Sequence, residues 1–423
     1  DLEDYFEGPR DTERHSKWPI FMRMHGSILP KMIVPLSFVG LWATTITLIS
    51  KTVPQVDLGI ESVLLVVTGF VVALALSFGS NAAYERYSDG RKYWSTLLLS
   101  SRSLARAIWV HTAERHDESV DLGKSDLLGK LAALNLINAF AVSLKHRLRF
   151  EPSVEYPDLA PLLVNLHVLA SKADQAPLRQ PKASALKHMG QVLGLSFAES
   201  NPRKLIKKSQ DNLGNTPLEV LTYLGAYLEN VHQDGTMSSA VVQSQAMASL
   251  YTFIEVLTGA ERVLSTPLPT AYSISISQIT WAYVLSLPFQ LIRYLGWVTI
   301  PGTVVAGYIV LGLAQIAREL ENPFGADVND LPLDAYCREI ANDMDALTSE
   351  PAPLDPKAWM RDGAAKILWP FSDLEYAAWE AKDVDEIREA LKAKASSRET
   401  RLQRMHTMIL SSEMTNEDDR QQS

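Results

Sequence analysis

A single cysteine, Cys337, in 423 residues leaves the chain no intrachain disulfide and no cysteine-built zinc site. A basic surplus is missing too. The 40 Lys+Arg stand against 49 Asp+Glu, a net charge of −9, which argues against a nucleic-acid binder. No Walker loop, Rossmann glycine pattern, His-Glu-x-x-His or Cys-x-x-Cys occurs. The nine histidines show no spacing that suits a catalytic triad or a haem pair. Internal repeats and low-complexity bias are absent as well. An enzyme has little to stand on here.

The most informative absence is local. A hydrophobic share of 47% and a mean hydropathy of −0.02 describe an ordinary soluble protein. Yet four windows, 32–50, 62–84, 263–292 and 294–317, hold no Asp, Glu, Lys, Arg or His. A helix needs roughly 20 apolar residues to cross the hydrocarbon of a bilayer. Each window meets that length, the third once its turn-rich start Ser265-Thr266-Pro267-Leu268-Pro269 is set aside. The sequence therefore predicts an all-α integral membrane protein with transmembrane helices at 32–50, 62–84, 271–292 and 294–317. Four buried helices of a large soluble protein are the alternative.

Only a short link joins the windows of each pair, so both hairpins turn on the same side of the bilayer. Lys17, Arg23 and Lys31 precede the first span, and Arg86, Arg91, Lys92, Arg102 and Arg106 follow the second. Arg262 and Arg318 flank the second pair. Basic residues stay on the cytoplasmic side. The segment 1–31, the long middle 85–262 and the C-terminal part are thus expected in the cytoplasm. The first span starts too far along the chain to be a removed signal peptide.

In the middle region, 86–109 and 127–144 carry apolar residues at helical spacing, and the proline-rich stretch 152–217 reads as short helices and loops. Its cluster Arg203, Lys204, Lys207 and Lys208 is either a solvated face or a contact for anionic lipid. The stretch 235–254 is free of Asp, Glu, Lys and Arg but too rich in Ser and Gln for lipid, so a helix lining something wet suits it. A charged helix from Glu375 to about Met408 and a polar tail complete the region 351–423. The charge itself is unevenly spread. Residues 1–317 balance 27 bases with 26 acids, while the acidic post-membrane segment 318–350 has nine acids and two bases.

Two clusters offer chemistry. Phe70, Leu74 and Phe78 recur at i, i+4 and i+8 and share one helix face. Repeated around a symmetry axis, that face forms stacked apolar rings of the kind that gate by dewetting; packing or lipid contact is the alternative. Behind the last span, Glu319-Leu320-Glu321-Asn322-Pro323-Phe324-Gly325 runs into Asp327, Asn329 and Asp330. It offers hard oxygen ligands of the calcium type, or simply a capped turn starting the next helix at Asn329 or Asp330.

Three stretches together resemble the bestrophin family of ion channels. They are Asn81-Ala82-Ala83-Tyr84-Glu85-Arg86-Tyr87, then the segment 259–269 with Glu261, Arg262, Thr266 and Pro267, then Leu295-Gly296-Trp297-Val298-Thr299-Ile300-Pro301 leading to Glu321-Asn322-Pro323-Phe324-Gly325 and Asn329-Asp330. The pattern covers about 17–345 and is similar to the bacterial and fungal branch. The resemblance implies a homopentamer around one axial pore in the lipid bilayer, passing chloride or other anions. It puts the pore neck at Phe70, Leu74 and Phe78 and a cytosolic aperture in the 235–254 helix, at Val242 or Gln245. It also implies a calcium clasp, with Asp327 and Asp330 as side-chain ligands and Glu319 and Asn322 as carbonyl donors. Animal members carry a near-continuous acidic run there, which Ala326, Val328 and Asn329 interrupt here. Ala260 and Thr270 also depart from the pattern. A cation-conducting relative and a non-conducting membrane-anchored scaffold stay open as alternatives. A secondary transporter lacks both intramembrane charges and inverted repeats.

Overall fold

The computed structural model describes residues 24, 26–53, 58–60, 63–173, 213–349, 365–369 and 371–396. Among them there are helices and turns but no strand. The basic cluster Arg203, Lys204, Lys207 and Lys208, along with Lys17 and Arg23, lies outside the described residues. Two units are distinguished, 1–350 and 351–423.

In the first unit, α1 (Leu29–Thr52) starts with a proline in its first turn, where the missing N–H costs nothing. Its hydroxyls are folded back on the helix: Thr44, Thr45 and Thr52 donate to the carbonyls four residues earlier at 2.7, 2.9 and 2.6 Å. That satisfies polar atoms without water. The helix α2 (Val63–His111) runs without interruption for 49 residues, roughly 70 Å at 1.5 Å per residue. Sequence reading ends an apolar span at Tyr84 and starts a new amphipathic helix at Arg86; the structure joins them into one rod. The reason is that charge changes the surface of a helix without breaking it, and no proline stands between the two halves.

Two more apolar helices pack beside the first half of α2. They are α7 (Thr270–Leu295) and α8 (Thr299–Glu321). Between them Gly296 takes the left-handed φ of +54° that stops α7, and a single turn, Gly296–Val298, leads into α8. The fourth helix thus begins five residues later than the charge-free window suggests. Packing is by close approach: a Cβ on Gly69 would lie 3.3 Å from the Tyr283 hydroxyl, and one on Gly79 3.2 Å from Ile276. Met32, Val39, Val284 and Leu311 form the centre of this bundle, and Trp42 Nε1 donates to the Leu285 carbonyl at 3.0 Å. The two hairpin turns meet at one end, where the Ile60 N–H donates to the Phe289 carbonyl at 2.8 Å.

The second half of α2 enters a separate helical body. Around it stand α3 (Val120–Leu148), α5 (Thr216–Gln233), α6 (Ala240–Ser265) and α9 (Leu333–Thr348), with the short α4 (Ala160–Leu163) between α3 and α5. Ser119, Asn215 and Ser239 cap α3, α5 and α6 by accepting backbone N–H groups. The interior is aromatic and aliphatic: Phe140 and Phe253 meet edge to face at 4.9 Å, among Ile137, Leu144, Leu224 and Val256. By length and composition α3 is apolar enough to cross a membrane, as are Leu29–Thr52, Val66–His111 and Thr270–Glu321. It differs from them in carrying Lys130, which is 1% exposed and held by Glu114 Oε1 at 2.9 Å and the Trp109 carbonyl at 3.3 Å.

The unit 351–423 is described over two helices, α10 (Tyr376–Glu380) and α11 (Val384–Ser396). The sequence predicts one helix from Glu375 to about Met408. A break at 381–383 divides it, because the Asp383 carboxylate accepts the Val384 N–H at 2.8 Å and opens a new N-terminus.

Candidate functional site

The first half of α2 has two unlike faces. Gly69, Val72, Leu76, Gly79 and Ala83 recur at helical spacing and are turned into the bundle; Val72, Leu76 and Ala83 are buried. On the other side Phe70, Leu74 and Phe78 are 69%, 47% and 58% exposed in the single chain. Val66, Val67 and Val71 extend the same surface. Soluble monomers rarely show so large an apolar patch. The three residues singled out from sequence spacing therefore share one largely exposed face among the described residues.

Directly below, Arg86 organises the motif that follows the stripe. Its Nε donates to the Glu321 carbonyl at 2.9 Å, its Nη2 to the Val263 carbonyl at 2.6 Å, and its Nη1 to the Thr266 carbonyl. One guanidinium thus closes the ends of α6 and α8 onto α2, using its fixed fork of donors. Glu321 returns the contact through Oε1, which accepts the Leu268 N–H at 3.2 Å. The other residues of the resemblance also have physical roles. Gly259 is where Tyr93 crosses α6, and a Cβ there would lie 2.2 Å from the ring. Arg262 donates to the Tyr93 hydroxyl at 3.0 Å, while Glu261 pairs with Arg147 of α3. Phe324 is fully buried and fills the space left by Gly90 on α2.

The candidate cation loop follows α8. Asn329 Nδ2 donates to Glu319 Oε2 at 2.9 Å and to the Gly26 carbonyl at 3.1 Å. Asp330 Oδ2 accepts the Asp327 N–H at 2.8 Å, and Gly325 lies so close that a Cβ would come within 2.3 Å of the same oxygen. Burial pushes the Asp330 carboxyl up to about 6, reinforced by the charge of Asp327 and opposed by the Asp327 N–H and Lys31. Two further oxygens of the cluster face an ammonium. Lys31 Nζ lies 3.0 Å from Glu319 Oε1 and 3.2 Å from Asp327 Oδ2. Calcium takes six to eight oxygens, largely carboxylate and carbonyl. Among the described residues no group of three or more His, Cys, Asp or Glu is placed to hold a metal. The arrangement present does not fit a calcium ion. Nor does the next helix begin at Asn329 or Asp330: it starts at Leu333, after Pro332.

On α6 the two aperture candidates part company. Gln245 is exposed on the same side as Val241 and Ala248, whereas Val242 is half-buried. Val241, at 68% exposure, was not singled out by sequence; its period-of-four relation to Gln245 is the signal that would have found it.

The chain matches the Bacterial/Fungal Bestrophin protein family over residues 10–346. It is 32% identical to a voltage-dependent anion channel-forming protein of Nostoc sp. over 78% of this chain and 91% of that one. A protein of the same description from Synechocystis sp. is 29% identical over 78% of this chain and 92% of that one. Among solved structures, a crystal structure of a bacterial bestrophin homolog from Klebsiella pneumoniae superposes with a TM-score of 0.55 at 23% identity. It covers 76% of this chain and all of that chain, a likeness of fold alone. Arg86, Phe324 and the exposed stripe on α2 all lie within the matched residues, and the chain belongs to the bacterial and fungal bestrophin family.

Proposed function

We propose that the chain is the subunit of a passive anion channel rather than an enzyme. In this reading five copies surround one axis, with α1, the first half of α2, α7 and α8 crossing the bilayer. The observation that carries the reading is the uncovered face of α2, where Phe70, Leu74 and Phe78 stand free on the side opposite the bundle contacts. Brought together around an axis, these side chains form stacked apolar rings, and a narrow apolar ring holds back ions by excluding water. Phenyl edges carry the positive part of the ring quadrupole and tolerate a passing anion. The relatives described as anion channel-forming supply the sign of the permeant ion. Chloride is the natural first candidate.

In the same reading the basic flanks Lys31, Arg86 and Arg318 face the cytoplasm, as do both termini. The face of α6 carrying Val241, Gln245 and Ala248 forms the second narrowing, in place of Val242. Calcium gating is not part of the proposal, because Lys31 stands among the oxygens that would bind the ion.

Purified protein in a planar bilayer tests the reading. Its reversal potential is expected to follow the chloride gradient; reversal that follows sodium or potassium overturns anion selectivity. Replacing Phe70, Leu74 and Phe78 together by Ala is expected to raise open probability, and unchanged currents remove them from the gate. Native mass measurement checks the five-fold assembly, which a monomer or dimer would refute.

A further inference from the structure

The loop behind α8 has the oxygen chemistry of a cation site, yet its charge is already met from inside the chain. Lys31 sits at the start of α1, almost three hundred residues from its partners. Its ammonium bridges a carboxylate on the last turn of α8, Glu319, and one in the loop, Asp327, at 3.0 and 3.2 Å. Of these two, Glu319 has a side chain only 10% exposed, so its charge is largely removed from water. Asn329 closes the same junction by joining Glu319 to the Gly26 carbonyl.

We propose that Lys31 is a tethered replacement for a divalent ion, so that the loop closes on the start of α1 without any free metal. An ammonium donates up to three hydrogen bonds and can be shared between carboxylates much as an ion is shared. It differs in charge and in permanence. A bound calcium ion leaves when its free concentration falls, whereas a side chain stays at fixed effective concentration. For the channel reading the consequence is indifference to cytosolic calcium. The inference rests on that reading only for this consequence, because its test is read without current.

Thermal unfolding of the full chain in detergent, with a chelator or with millimolar calcium, is the experiment. The wild-type midpoint is expected to be the same in both. Lys31→Gln is expected to lower the midpoint by roughly 2–4 °C in chelator and to regain it in calcium, since two carboxylates then lack a cation. Lys31→Arg should keep the wild-type pattern. The double variant Lys31→Gln with Glu319→Gln, which removes the buried charge together with its cation, should recover the midpoint without calcium, which keeps the test informative if the single variant folds poorly. A wild-type midpoint that rises with calcium overturns the proposal. So does a Lys31→Gln protein as stable as wild type in chelator, or one whose loss calcium does not repair.

Discussion

The helices α1 and α3 look alike in composition and do opposite things. Each contains a stretch long and apolar enough to cross a bilayer. Within the chain, 28% of that stretch is buried in α1 and 56% in α3. The first presents Val34, Phe38 and Leu41 outward; the second turns Ile137, Phe140 and Leu144 inward. Hydropathy reports how much apolar surface a helix has, and only packing tells whether protein or lipid covers it. Lys130 marks the difference in α3, where a charge amid an apolar run meets a carboxylate from its own chain.

Two phenylalanines sharpen this contrast most. Phe140→Ala in the body is expected to cost about 3–5 kcal/mol, as for a fully buried ring. Phe70→Ala should cost far less in an isolated subunit, since that ring touches little of its own chain. Denaturant unfolding of the two variants in detergent checks the difference, and equal costs would break the comparison. Next in size is Glu114→Ala, which leaves the Lys130 ammonium buried without its carboxylate and should cost about 3 kcal/mol. The paired replacement of Glu114 and Lys130 by Leu and Met should recover most of that loss.

A smaller effect comes with acid. Asp126, Asp158 and Asp334 are all held below their ordinary value near 3.8. For Asp126 the cause is the Arg115 guanidinium, which donates to both its oxygens. Burial works against the charge of Asp158 and Asp334, but Lys145 outweighs it at both, with His146 at Asp158 and Arg149 at Asp334. A carboxylate whose folded value is depressed stabilises the fold above its unfolded value, and that contribution is lost as pH falls through the folded one. Stability of the body should therefore decline below about pH 4, and circular dichroism on acid titration should show body helices lost before the bundle's. The smallest effect is chemical rather than energetic. Burial pushes the Cys337 thiol up to about 12, so a maleimide should leave the folded chain unlabelled and react only on unfolding.

Sequence made the four apolar helices legible because lipid tolerates so few charges that their absence is itself a signal. The stripe Phe70, Leu74 and Phe78 was legible for the same reason that helices are: a fixed period. What could not be read was long-range pairing. Lys31 reads locally as a basic flank of the first span, and nothing near it in the chain mentions Glu319 or Asp327. The same holds for Arg86, whose three carbonyl partners are backbone atoms and leave no trace in residue type. On α6 the sequence offers Val242 or Gln245 without choosing between them, because periodicity gives a face only once one register position is known. The continuity of α2 was missed because a change from apolar to charged residues resembles a boundary.

That continuity has a mechanical meaning. A helix of 49 residues with no proline is one continuous rod, and it belongs to both the apolar bundle and the second helical body. The apolar stripe and the core of the body are thus parts of a single element, and Arg86, clamped to three carbonyls midway, fixes the ends of α6 and α8 to it at the point where one half passes into the other.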